Sequence, residues 1–140
     1  MIGFLFNRFI IFGIGFGLSI SFVLRLPGAE DRFAAGFAIS LGIIGAIYLG
    51  ALIVRPVGNR AAVQEILAAT LTFVFVAAGS YVHVLWLVPG YLWHGIWDWL
   101  HHERQFGNRF GASVVQWYPP FCAAVDITMG LIILIWWWPS

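Results

Sequence analysis

The chain has 140 residues, of which 61% are hydrophobic and 9% charged, with a net charge of +1 and a mean hydropathy of +0.91. So few charges cannot cover a water-soluble domain, which excludes a soluble enzyme, and no basic run offers a nucleic-acid partner. The composition predicts an all-α membrane bundle of four to five transmembrane or re-entrant helices. It forms one domain over residues 1–140, and its first partner is the lipid bilayer.

Helix 1 is expected over 9–26. Arg8 is the only early positive charge and the apolar run is long, so this segment reads as a retained helix rather than a signal peptide. The stretch "LPGAEDR" ends it, since Pro27 and Gly28 break the helix and Glu30, Asp31 and Arg32 need water. Helix 2 is expected over 33–54 and stops at "RPVGNR". Helix 3 follows over 62–88, up to a turn or kink at Pro89 and Gly90. Helix 4 is "YLWHGIWDWLHHER", residues 91–104, and helix 5 covers 121–138 after the connection "QFGNRFGASVVQWYPP". At 1.5 Å per residue, helix 4 reaches only about 21 Å, which makes it the candidate for a re-entrant or interfacial helix. If all five cross, Arg8, Arg55, Arg60, Arg104 and Arg109 share the N-terminal side, against Arg25 and Arg32 opposite. That asymmetry predicts a cytoplasmic N-terminus, with a bacterial inner membrane as the expected location.

Small residues recur at spacing four, at Gly13 and Gly17 on helix 1 and at Ala38, Gly42, Ala46 and Gly50 on helix 2. Such faces let helices approach closely in lipid, within the bundle or in a homo-oligomer or larger membrane complex. The glycines of "GIGFG" lie inside helix 1, so packing explains them better than a nucleotide site does. Cys122 is the single cysteine and reads as a small packing residue. Trp117, Tyr118 and Trp136 to Trp138 suit interfacial belts.

The informative stretch is "WHGIWDWLHH". At helical spacing His94, Asp98 and His101 share one face, with His102 on its flank, and the opposite face is apolar. Helix 3 adds a line of Glu65, Thr72, Gly79 and His83, and helix 5 adds a lone Asp126. A charge inside the membrane costs at least about 2.5–3.5 kcal/mol on insertion scales, so this set needs compensation. A divalent metal (zinc, iron or manganese), a proton relay, or hydrogen bonding between helices would supply it. The expected ligands are His94, Asp98, His101, His102 and His83, with Asp126 as a general base or a further ligand and Glu65 as a catalytic group. On a hairpin at Pro89 and Gly90, His83 and His94 would sit at similar depth.

The D-x-x-H-H pattern at Asp98, His101 and His102 resembles the histidine boxes of membrane di-iron desaturases and hydroxylases. Similarly, "HGIWD" resembles the HGxxD stretch of bacterial carotene-cleaving membrane oxygenases. Over the whole chain, "HGxWDxxHH" (His94, Gly95, Trp97, Asp98, His101, His102) and "YPxFCxxxD" (Tyr118, Pro119, Phe121, Cys122, Asp126) resemble an uncharacterised family of small bacterial multi-span membrane proteins. The first two resemblances imply metal-dependent chemistry, and the third a matching fold without an assigned activity. The leading expectation is a membrane metal-binding protein acting on a lipid-phase substrate. The alternative is a non-enzymatic accessory subunit of a respiratory or photosynthetic complex that contacts pigment or haem.

Overall fold

A computed structural model describes residues 2–24, 30–54, 58–102 and 117–137. The described residues form α1 (Ile2–Leu24), α2 (Glu30–Val54), α3 (Asn59–Tyr81), a 3₁₀ turn (Val84–Trp86), α4 (Leu87–His102) and α5 (Tyr118–Trp137), with no strand among them. Three of these helices, α2, α3 and α5, are long and apolar enough to cross a membrane. The apolar part of α1 is a little shorter, over Arg8–Leu24. The 16 residues of α4 span about 24 Å.

α5 is the hub: α1 and α4 both pack on it, while α2 packs on α3 and α3 on α4. The α1–α5 seam uses the spaced glycines of α1. A methyl group on Gly13 would collide with the Phe121 carbonyl and lie 2.8 Å from Ala124 Cβ, and one on Gly17 would lie 3.1 Å from Thr128 Cβ. This glycine pair therefore serves packing inside the bundle. The helix 2 stripe behaves differently, since Ala38 is buried but Ala46 and Gly50 are exposed. A methyl group on Gly42 or Gly50 would meet nothing within 4 Å. The close approach of α2 to α3 occurs instead at Gly45, where an added methyl would lie 2.8 Å from Thr72 Cγ2.

The break between helices 3 and 4 falls earlier than the sequence suggests. α3 ends at Tyr81, and His83 adopts an extended conformation (φ −164°, ψ 137°) that starts the 3₁₀ turn. Pro89 and Gly90 lie inside the first turn of α4 and form no hairpin. The amides of a helix's first turn have no partner within the helix, so the missing N–H of Pro89 costs nothing there.

α4 and α5 run antiparallel: Gly130 packs against Tyr91 and Val88, and Gly95 packs against Ala123, Asp126 and Ile127. The bundle interior accordingly has two halves. Around the first turn of α4 the core is apolar, built from Phe37, Leu41, Leu87, Tyr91, Met129 and Ile133. Toward the end of α4 and the start of α5 it is polar, containing Glu65, His94, Asp98, His101 and Asp126.

Candidate metal centre

The polar half forms because four helices each turn one or more hydrogen-bonding side chains inward. α4 supplies His94, Asp98 and His101 at helical spacing, while α2, α3 and α5 supply Tyr48, Glu65 and Asp126. Asp98 and Asp126 are completely buried, and His94 is 3% exposed. Close approach at Gly95 brings α4 and α5 together. A methyl group there would lie 3.2 Å from Ile127 Cγ1, 3.3 Å from the Ala123 carbonyl oxygen and 3.4 Å from Asp126 Cβ.

His94 is the centre of the group. Its Nδ1 lies 2.8 Å from Asp126 Oδ2 and 3.5 Å from Asp98 Oδ2. One donor atom from each of His94, Asp98 and Asp126 falls within 4.8 Å of the others. Tyr48 donates to Asp98 Oδ1. Asp98 Oδ2 and Asp126 Oδ1 are buried and have no hydrogen-bond partner. An unsatisfied buried carboxylate oxygen is costly, and here two neighbouring carboxylates converge on one imidazole nitrogen.

A second acid–imidazole pair lies beside it. His101 Nδ1–H donates to the Trp97 carbonyl at 2.8 Å, and His101 Nε2 is 2.5 Å from Glu65 Oε1. A carbonyl only accepts, so the Glu65–His101 contact requires one further proton shared between Nε2 and Oε1. Trp97 Nε1–H donates to Glu65 Oε2 at 3.0 Å, which occupies the second carboxylate oxygen. Tyr48 joins the two groups: its hydroxyl serves Asp98, and its ring stacks on His101 at 4.5 Å between centroids.

The sequence-predicted residues therefore separate. His94, Asp98 and Asp126 come together as one group that could hold a metal ion. His101 and Glu65 form the neighbouring pair. His83 is exposed at the α3 break, where its Nδ1 accepts from the Leu85 amide at 3.2 Å, and it takes no part in either group. His102 closes α4, and its side chain lies outside the described residues. Tyr48 and Trp97 were missed as functional residues. A lone tyrosine in the otherwise apolar second half of α2 was the available signal for Tyr48; for Trp97 it was an indole one residue from Asp98.

Comparison with known protein families, curated proteins and solved structures gives no match. The functional reading therefore rests on the geometry of this chain alone.

Proposed function

We propose that this is an integral-membrane metal-binding protein in which His94, Asp98 and Asp126 ligate a divalent cation that acts on a lipid-phase substrate. The observation that carries this reading is the pair of fully buried carboxylates, each keeping an oxygen without a partner, that both approach His94 Nδ1. In a tetrahedral site with bonds of about 2.0–2.2 Å, ligand atoms are about 3.3–3.6 Å apart, close to the His94–Asp98 separation of 3.5 Å. The His94–Asp126 contact of 2.8 Å is a hydrogen bond, so the Nδ1 proton occupies the place a cation would take. Metal uptake would displace that proton. A divalent ion balances two carboxylates and a neutral imidazole, and a mixed N/O set suits zinc, iron or manganese.

Three protein ligands leave a coordination position for water or substrate, and a bound cation would polarise what occupies it. Asp126 then acts as a ligand rather than a general base. Glu65 and His101, which already share a proton, are the acid–base pair of this reading. The N-terminus is placed in the cytoplasm on the arginine asymmetry, and a bacterial inner membrane is the proposed setting. His101 has both ring nitrogens engaged, which favours this reading over haem or pigment ligation by that residue.

Elemental analysis of detergent-purified protein tests the proposal. About one zinc, iron or manganese per chain, lost in both His94→Ala and Asp98→Ala, is the expected result. Well-folded wild-type protein that neither carries nor takes up such a metal would remove the basis for the reading.

A further inference from the structure

We propose that the cleft between the second halves of α1 and α5 binds an ester-linked membrane phospholipid, with the Ser21 hydroxyl donating to an acyl ester carbonyl. The proposal is independent of the metal reading, since no residue lining the cleft belongs to the metal group.

The cleft follows from how α1 and α5 meet. The two helices run parallel in steps of four residues, with Gly13 against Ala124 and Gly17 against Thr128. The next step pairs Ser21 with Ile132, and no glycine there permits close approach. At that level the seam opens into a cleft of about 580 Å³, lined by Leu18, Ser21, Phe22, Val23, Ile132 and Trp136. Small-molecule sites have roughly 300–1,000 Å³.

Ser21 is the exceptional group in this lining. Ser19, Thr70, Thr72, Ser80 and Thr128 each donate to the carbonyl four residues earlier, the usual recourse of a hydroxyl inside a helix. The Ser21 hydroxyl does not. It is buried and has no hydrogen-bond partner, which is costly for a polar group.

Three observations identify the occupant. Leu18, Phe22 and Val23 are each half or more exposed, so the cleft is continuous with the apolar face that α1 presents to the bilayer. Its occupant therefore arrives from the lipid. Apart from Ser21, and Ser19 whose hydroxyl is spent on Gly15, the lining is apolar and suits an acyl chain. Depth accounts for the ester: Ser21 lies three residues from the end of α1 and Trp136 one residue from the end of α5. Both are within about 5 Å of the helix ends, the level of aromatic belts and of the polar ends of lipid chains. An ester carbonyl only accepts hydrogen bonds, and a neutral hydroxyl meets it without burying a charge.

The test uses the full chain, delipidated in detergent and titrated with dioleoyl phosphatidylcholine or with its diether analogue, which has the same head group and chain length but no carbonyl. Native mass spectrometry reads the affinity for the first lipid bound. Wild-type protein should bind the diester about 5-fold more tightly than the diether, the usual weight of one neutral hydrogen bond. Ser21→Ala should keep its helix content and lose that 5-fold for the diester, with diether affinity unchanged. Equal wild-type affinity for the two lipids, or an equal loss of both in Ser21→Ala, would overturn the proposal, because the carbonyl would then have no part in binding. Ile132→Trp, which fills the cleft from α5, should weaken both lipids by at least about 5-fold; undiminished binding would place the lipid elsewhere and refute the site. None of these readouts uses metal, so they stand or fall apart from the metal centre.

Discussion

The two halves of the bundle interior differ in the polar groups they bury. In the apolar half the Tyr91 hydroxyl donates to the Phe37 carbonyl at 2.7 Å. The rings of Trp136 and Trp137 meet Phe37 edge-on at 6.3 Å and 6.2 Å. In the polar half Asp98 and Asp126 each keep a buried carboxylate oxygen without a partner, whereas toward the apolar end it is a neutral hydroxyl, that of Ser21 beside Ile132 and Trp136, that does so. A core selected for stability alone would pair those atoms or replace them with hydrocarbon, since half-satisfied polar groups are worse than apolar ones. The first half thus holds the helices together by apolar packing, and the second contains the buried carboxylate and imidazole group that could hold a metal ion.

Substitutions should separate these roles. Met129→Ala, in the apolar half, should lower unfolding stability by about 2–5 kcal/mol through the cavity it leaves, with bound metal unchanged, as read by denaturant titration beside metal analysis. Asp126→Asn should do the reverse. Metal affinity should fall at least about 100-fold, or roughly 3 kcal/mol. The metal-free protein should become more stable by about 1 kcal/mol, because one of two adjacent buried carboxylates is removed while the asparagine oxygen can still accept from His94 Nδ1–H. Equilibrium dialysis and thermal melts of the same preparation would show both signs. If Asp126→Asn destabilised the metal-free protein as Met129→Ala does, the contrast between the halves would collapse.

Smaller effects sharpen the picture. Gly95→Ala places a methyl where Ile127 and Ala123 must yield by a few tenths of an ångström. It should widen the α4–α5 seam beside His94 and weaken metal binding by about 10-fold, roughly 1.4 kcal/mol, in a competitive chelator titration. Tyr48→Phe removes one hydrogen bond from Asp98 and should change metal affinity by about 1 kcal/mol. His83→Ala, at the exposed break, should leave affinity unaltered in the same titration.

Much of this architecture was legible in the sequence. Composition established an all-α membrane bundle, and helical spacing put His94, Asp98 and His101 on one face. The α3–α4 boundary was misplaced because Pro89 and Gly90 look like a stop signal, although proline is equally at home in a helix's first turn. The actual break at Val82 and His83 carries no glycine or proline to mark it. The partition of the polar residues was also hidden. Periodicity on one helix cannot tell that His94 meets α5 at Asp126 while His101, two turns further along, meets α3 at Glu65. Nor can it show that Tyr48 reaches across from α2, because one tyrosine in an apolar run has the same pattern whether it faces lipid or a carboxylate.

The most direct test of the account is X-ray absorption spectroscopy on the protein with its bound metal. The account predicts a first coordination shell of nitrogen and oxygen only, at about 2.0–2.2 Å, with outer-shell scattering from a single imidazole. Two or more imidazoles, or a sulfur at about 2.3 Å, would place the ion elsewhere and contradict the assignment of His94, Asp98 and Asp126.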